Sequence, residues 1–156
     1  MLLTAIVAVV LAIATVGMHV AGFAIMFRVI IRLGEAPPTR GLPIASQLMR
    51  TAWFLLFVHA LEIWVWALFY RFAHCFTDAE SAFYFSASTY TSLGYGDVLL
   101  PFRWRVLGPV EALIGILMCG LSTSAFFALV SRLVKARTEL KQADVRSRLS
   151  SRVTTR

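Results

Sequence analysis

Charged side chains are scarce in this sequence, and their scarcity excludes a soluble domain. They make up 15% of the 156 residues, whereas a soluble domain carries about 25%. Hydrophobic residues make up 59%, and the mean hydropathy is +0.77. A soluble fold of this size could not bury so much apolar surface, so we expect an all-α membrane protein.

Other absences narrow the function. The two cysteines, Cys75 and Cys119, form no disulfide framework and match no metal-ligand spacing. The sequence has no nucleophile–base pair, no cluster of metal ligands and no nucleotide-binding loop, so we expect neither an enzyme nor a cofactor. A voltage sensor needs a series of arginines through the membrane. The first apolar run has only Arg28 and Arg32, at its end, so we expect no voltage sensor.

Three apolar segments are long enough to span a membrane, which takes about 20 helical residues. They are Leu2 to Phe27, Thr51 to Tyr70 and Val106 to Val130. The first has no basic region before it and no small-residue cleavage site, so we expect a retained span rather than a signal peptide. Tyr70 and Trp104 fall where interfacial aromatic residues usually lie.

The basic residues predict the orientation. Twelve of the fifteen lie between the first two spans or after the third. Excess lysine and arginine mark cytoplasmic segments, so the N-terminus is expected outside and the C-terminus in the cytoplasm. Anionic lipid is the expected partner of this charge, rather than nucleic acid. Pro37, Pro38 and Pro43 favour an irregular turn in the first loop.

A short helix and a re-entrant loop are predicted between the second and third spans. The apolar helical part, from Asp78 to about Tyr90, is too short to cross a membrane. Thr77 followed by Glu80 predicts a capping box at its start. A glycine-rich return at membrane depth is tolerated only where protein or water surrounds it.

The sequence TSLGYGD, residues 91–97, follows this helix. A backbone that strips water from a cation needs carbonyl oxygens pointing one way, and therefore left-handed dihedral angles at alternate residues. Gly94 and Gly96 have the required spacing, and glycine adopts this conformation without steric cost. Ser92 would add a hydroxyl oxygen at the inner end, and Asp97 would place negative charge at the outer mouth.

This stretch resembles the signature of the potassium channel pore family, and the resemblance runs from Thr51 to about Leu133. Pro101 and Trp104 follow at spacings seen in prokaryotic members. The resemblance implies a K⁺-selective channel with one filter strand per chain, and a ring of carbonyls needs four chains, hence a homotetramer. The ion-binding oxygens would come from Ser92, Leu93, Gly94, Tyr95 and Gly96, next to Thr91 and Asp97.

The expected organisation has four parts. They are an extra N-terminal transmembrane helix (1–33), a cytoplasmic loop (34–50), a pore domain (51–134) and a basic cytoplasmic tail (135–156). The pore domain divides into an outer helix (51–70), a pore helix (78–91), a filter (92–97) and an inner helix (106–134). We expect a multi-pass protein of the cell membrane that transports K⁺. The alternatives are a less selective cation channel and a non-conducting subunit or membrane sensor.

Three positions depart from the family's commonest pattern. Ser92 stands where threonine is usual, and Leu93 where valine or isoleucine is usual, and neither change removes an oxygen. Ser88 occupies a position where some members carry a glutamate that pairs with the acid after the filter. Asp97 therefore needs another partner, for which we expect Tyr84.

Ionisable residues within spans are costly and often functional. His59 and Glu62 share one helix face. They form either a proton-sensitive latch against the first or third span, or a structural hydrogen bond to each other or to a nearby serine or threonine, and we favour the hydrogen bond. His19 is expected to be a packed or interfacial histidine rather than part of a site.

Glu111 has two open interpretations. It braces the filter from behind, or it is an interfacial carboxylate near Arg103 or Arg105. The expected partners of a bracing carboxylate are Tyr95, Ser86 and Ser88.

Two glycines of the third span and three leucines of the tail each have two interpretations. Gly115 and Gly120 either hinge the third span or let it pack closely, and Gly120 is our candidate hinge for gating. Leu133, Leu140 and Leu149 recur at about heptad spacing, which fits a helical bundle. We favour instead a basic, lipid-facing or frayed tail.

Overall fold

The computed structural model describes residues 1–34 and 44–154, which form helices joined by turns. The helices are α1 (Leu2–Gly34), α2 (Ile44–Phe72), α3 (Ala79–Tyr90) and α4 (Leu107–Thr154), with a 3₁₀ turn at Phe102–Trp104. α1, α2 and α4 are each long and apolar enough to cross a membrane. The chain is therefore an all-α, multi-pass membrane protein, as its composition predicted. The irregular turn predicted at Pro37, Pro38 and Pro43 lies outside the described residues.

Two helices extend beyond their predicted bounds. α2 begins at Ile44 rather than at residue 51. α4 continues for 48 residues to Thr154, a length of about 72 Å, so the expectation of a frayed tail is wrong. No glycine or proline follows Gly120, and good helix formers such as Ala, Leu, Lys and Arg fill the tail. The side chains of Leu140 and Leu149 lie outside the described set, and the bundle stays a prediction.

Polar contacts attach α1 to the other helices along its length. The Thr4 hydroxyl donates to the carbonyl of Arg103 at 3.3 Å. The Trp66 indole donates to Thr15 Oγ1 at 2.9 Å, and His19 pairs with Glu62 (below). Because Thr4 lies at the start of α1, this start and the segment that leads into α4 lie on the same side of the membrane.

An aromatic core holds α3 between α2 and α4. Trp66, Tyr70, Tyr90 and Leu107 are buried there, and the rings of Tyr70 and Phe85 meet edge to face at 5.3 Å. Such contacts matter in a membrane because helices associate there through close packing and hydrogen bonds. Tyr70, expected at the interface, is instead fully buried, since its hydroxyl binds a buried carboxylate of α4 (below).

Gly115 permits a close approach between α4 and α3. A Cβ atom built on Gly115 would lie 2.0 Å from the carbonyl oxygen of Tyr90, the last residue of α3. The backbone of α4 therefore lies directly against the end of α3. Gly120, one and a half turns further on, has no such neighbour within 4 Å. Close packing is thus the role of Gly115, whereas the hinge at Gly120 stays a prediction.

Gly115→Ala is expected to destabilise the protein, because the added methyl group collides with backbone that cannot move aside. Overpacking of this kind costs about 1–3 kcal/mol or more. Gly120→Ala is the matched control on the same helix and should be neutral, or stabilising by up to about 1 kcal/mol. Thermal unfolding in detergent, followed by circular dichroism, measures both. Equal midpoints for the two variants would contradict the packing role of Gly115.

Candidate functional site

The start of α3 is fixed by Asp78. Its Oδ1 accepts the backbone N–H of Ser81 at 2.7 Å, and its Oδ2 accepts the Ser81 hydroxyl at 2.9 Å. The backbone hydrogen bond from Ser81 lowers the pKa of this carboxyl below its usual value. The predicted capping box of Thr77 and Glu80 is therefore wrong by one residue, because Asp78 is the stronger acceptor at the N-cap.

The loop after α3 alternates between two backbone conformations. Ser92, Gly94 and Gly96 have φ values of +61°, +52° and +76°, while Leu93 and Tyr95 between them do not enter the positive region. The left-handed conformation predicted for both glycines is confirmed. Ser92 was not predicted to share it. It is held because the N–H groups of the next two residues both donate to the carbonyl of Ser88, at 2.9 and 3.1 Å.

This alternation has a chemical consequence. A regular strand points successive carbonyl groups in opposite directions, whereas alternation of left- and right-handed residues aligns them. Nothing lies within 4 Å of a Cβ built on Gly94 or Gly96. The side chains of Leu93 and Tyr95 are 62% and 67% exposed. A cavity of about 430 Å³ adjoins the loop on its α4 side. The aligned backbone is thus open along its length in the single chain.

The outer end of the loop is held by Tyr84. Its hydroxyl donates to Asp97 Oδ2 at 2.8 Å, so the partner expected for Asp97 is confirmed. The ring of Tyr84 also stacks on Tyr95, with centroids 6.4 Å apart and planes 9° apart. The hydrogen bond to Asp97 raises the pKa of Tyr84. Ser88 does not compete for Asp97, because its hydroxyl donates to the carbonyl of Phe85.

Glu111 braces α3 from behind. Its carboxylate is completely buried. It accepts the Ser86 hydroxyl at 2.5 Å and the Tyr70 hydroxyl at 2.7 Å. The predicted contact with a hydroxyl of α3 is confirmed, and the alternative near Arg103 or Arg105 is wrong. Tyr70 was missed, because 41 residues separate it from Glu111 and no local spacing links them.

A second buried carboxylate, Glu62 of α2, contacts α3 one helical turn beyond Ser86, at Tyr90. Its Oε1 pairs with His19 Nδ1 at 2.8 Å, and its Oε2 accepts a short hydrogen bond from the Tyr90 hydroxyl. His59 Nδ1 lies 3.3 Å from Oε2. This is an ion-pair distance, whereas the hydrogen bonds of His59 go to the hydroxyl groups of Tyr90, at 2.9 Å, and Ser122, at 3.0 Å. The favoured hydrogen bond to a nearby serine is therefore present, and it belongs to a larger cluster that also reaches α1 and α4.

His19 is a packed histidine, as expected, but its pairing with Glu62 was not predicted. It is fully buried and pairs directly with Glu62. One signal could have revealed the pair. His19 is the only ionisable residue from Leu2 to Phe27, and ionisable groups within membranes usually find one another.

Comparison with known proteins gives one family. A family model described as ion channel matches residues 48–132, which is more than half of the chain. The match covers most of α2, all of α3, the loop and the first half of α4, and it leaves α1 outside. No curated protein and no solved structure matches the chain significantly.

Tyr70→Phe is expected to destabilise the fold by about 1.5–3 kcal/mol, because it removes a hydrogen-bond donor from a buried carboxylate. Tyr84→Phe makes the same chemical change at an exposed carboxylate, where water replaces the lost hydroxyl, and should cost much less. Unfolding midpoints of the two variants in detergent give the comparison. A larger loss in Tyr84→Phe would show that Glu111 does not depend on Tyr70.

Proposed function

The chain belongs to the ion channel family, and on that premise we propose that it conducts K⁺ selectively and passively through a central pore formed by four copies. The alternating loop is the proposed selectivity filter. Its ion-binding oxygens are those of Ser92, Leu93, Gly94, Tyr95 and Gly96, with Thr91 and Asp97 at its two ends.

The alternating backbone from Ser92 to Gly96 carries this proposal. K⁺ enters a filter when carbonyl oxygens replace its hydration shell. Three left-handed residues spaced two apart suit that task, and an ordinary turn does not need them. The position of the loop, directly after a short helix between two spans, adds the partially negative helix end, which attracts cations.

Assembly into a tetramer is supported by what the single chain leaves uncovered. One strand supplies one quarter of a carbonyl ring. Leu93 and Tyr95 are largely exposed, although their side chains are apolar and lie at the outer mouth of a membrane protein. Three further copies around the loop would cover these side chains and complete the ring.

The proposed orientation follows from charge. Twelve of the fifteen basic residues lie on the side of the membrane opposite to the filter, which makes that side cytoplasmic in a cell membrane. The N-terminus is then outside and the C-terminus inside. Anionic lipid head groups face the basic segments there.

Flux from liposomes that contain the purified protein tests the proposal. We expect K⁺ flux that exceeds Na⁺ flux and is blocked by barium. Gly94→Ala should reduce K⁺ flux by at least about tenfold, because a Cβ disfavours the left-handed backbone by about 1–2 kcal/mol and turns a carbonyl away. Gly17→Ala is the control, since Gly17 lies in α1 with open space around it.

Other outcomes identify the alternatives. Equal K⁺ and Na⁺ fluxes would replace the proposal with a less selective cation channel. Intact tetramers without flux in any lipid or at any pH would indicate a non-conducting subunit, and Gly94→Ala would then change nothing.

A further inference from the structure

Five side chains from all four helices form a closed ring of hydrogen bonds around Glu62, which we call the polar ring. Glu62 Oε1 meets His19 Nδ1 at 2.8 Å, and Glu62 Oε2 meets the Tyr90 hydroxyl. His59 Nδ1 meets the same hydroxyl at 2.9 Å. Ser122 Oγ closes the ring between His59 Nε2, at 3.0 Å, and His19 Nε2, at 3.4 Å.

The polar ring lacks one proton when its groups are in their usual forms. It has five links, and each link needs one hydrogen. Tyr90 and Ser122 bring one hydrogen each, and so does each neutral histidine, whereas the Glu62 carboxylate brings none. Four hydrogens therefore serve five links, and one link brings two lone pairs face to face.

A fifth proton completes every link and makes the cluster neutral. Placed on a histidine, it gives an imidazolium beside the Glu62 carboxylate. Placed on Glu62, it gives an all-neutral ring in which the carboxyl donates to Tyr90 and Tyr90 donates to His59. A buried polar network that is only partly satisfied is strongly unfavourable, so loss of this proton weakens the contacts between the four helices.

We infer that the polar ring binds one proton per subunit and that this proton positions the filter by holding Tyr90. Tyr90 immediately precedes Thr91, and its carbonyl lies against α4 at Gly115. His19 is then a positioning residue supplied by α1, the helix outside the family match. The inference deepens the proposed function and rests on it, because the positioned element is the proposed filter.

The titratable groups around the ring do not take up this proton in its place. α1 contributes His19, α2 contributes His59 and Glu62, and α3 contributes Tyr90. On α4, Cys119 interacts electrostatically with Glu62, and Glu111 with Tyr90, but Glu111 is already bound by Ser86 and Tyr70. The His59 side chain is 14% exposed in the single chain, whereas those of His19 and Glu62 are buried.

A metal ion is the competing occupant. One ligand atom from each of His19, His59 and Glu62 lies within 4.8 Å of the others. Ligands of a tetrahedral Zn²⁺ stand about 3.3 Å apart, given bonds of about 2.0–2.1 Å. Two of the separations, 2.8 Å from His19 Nδ1 and 3.3 Å from His59 Nδ1 to the Glu62 carboxylate, are close to that value. The hydrogen bonds of the ring, however, already occupy these ligand atoms, and this occupation favours the proton.

The proton site is tested first without ion flux. The unfolding midpoint of the wild-type tetramer in detergent, measured against that of Glu62→Gln, should fall by several degrees as the pH rises from about 5 to 8. The comparison cancels the protons that the two unfolded chains bind equally. The folded variant needs no ring proton, since the Gln amide donates to Tyr90 permanently while its carbonyl still accepts from His19. Glu139→Gln, the same change on the exposed cytoplasmic part of α4, should follow the wild type.

Flux then tests the positioning role. In liposomes, the ratio of K⁺ to Na⁺ flux of the wild type should fall by about tenfold over the same pH range, as is usual for coupled sites. Glu62→Gln should keep a high ratio at every pH, and His19→Ala a low one. The inference would be overturned by a wild-type midpoint that keeps a constant difference from that of Glu62→Gln at every pH, or by a wild-type flux ratio that does not change with pH. So would a Glu62→Gln variant that keeps the wild-type profile.

Two further outcomes separate the hypotheses. A pH-dependent midpoint in a protein that never conducts would leave the proton site standing and overturn the proposed function, and with it the positioning role. Stoichiometric Zn²⁺ that survives chelator washing and raises the midpoint would assign the ring to a metal and overturn the proton site.

Discussion

Two carboxylates with no access to water determine how the helices of this protein are arranged. A charged or strongly polar group in hydrocarbon costs several kcal/mol unless partners surround it. Glu62 and Glu111 each meet this requirement by collecting donors from other helices. Their partners on α3, Tyr90 and Ser86, are four residues apart and therefore lie on one face of that helix. Two successive turns of α3 are thus fixed by two separate carboxylates.

The proposed filter is packed against α4 on one side and is exposed on the other. Behind it, α4 touches the end of α3 at Gly115 without room for a methyl group. In front, the loop from residue 91 to residue 97 is exposed in the single chain. At its outer end, Tyr84 holds the loop through the hydrogen bond to Asp97 and the stacking of its ring on Tyr95. A strained backbone with φ above zero at Ser92 persists only where its surroundings hold it, and here those surroundings are α3 and α4.

Features that depend on the local pattern of residues could be predicted from the sequence. Long apolar runs identified the spans, and the spacing of Gly94 and Gly96 identified the alternating loop. The pairing of Tyr84 with Asp97 followed from the serine at position 88. The polar ring could not be predicted in this way, because its members are separated by up to 103 residues. Only the pairing of His19 with Glu62 had a signal in the sequence, because ionisable groups within a membrane usually find one another.

The predicted limits of the helices failed for a different reason. Thr77 and Asp78 are both good N-cap residues, and sequence alone does not choose between neighbours. In the tail, a basic composition indicated contact with lipid or solvent, but it says nothing against a helix. The helix propensity of the same residues was the better guide.

The length of α4 makes it a lever arm. From Gly115 to Thr154 the helix extends about 58 Å, whereas the part beside α3 is held by backbone contact. A tilt of about 5° at Gly115 displaces the far end by roughly 5 Å, given the rise of 1.5 Å per residue. Conversely, a force applied at Thr154 acts on the contact between Gly115 and Tyr90 with a leverage set by the length of α4 between Gly115 and Thr154. Small torques at the far end of α4 are thereby concentrated where its backbone lies against the end of α3.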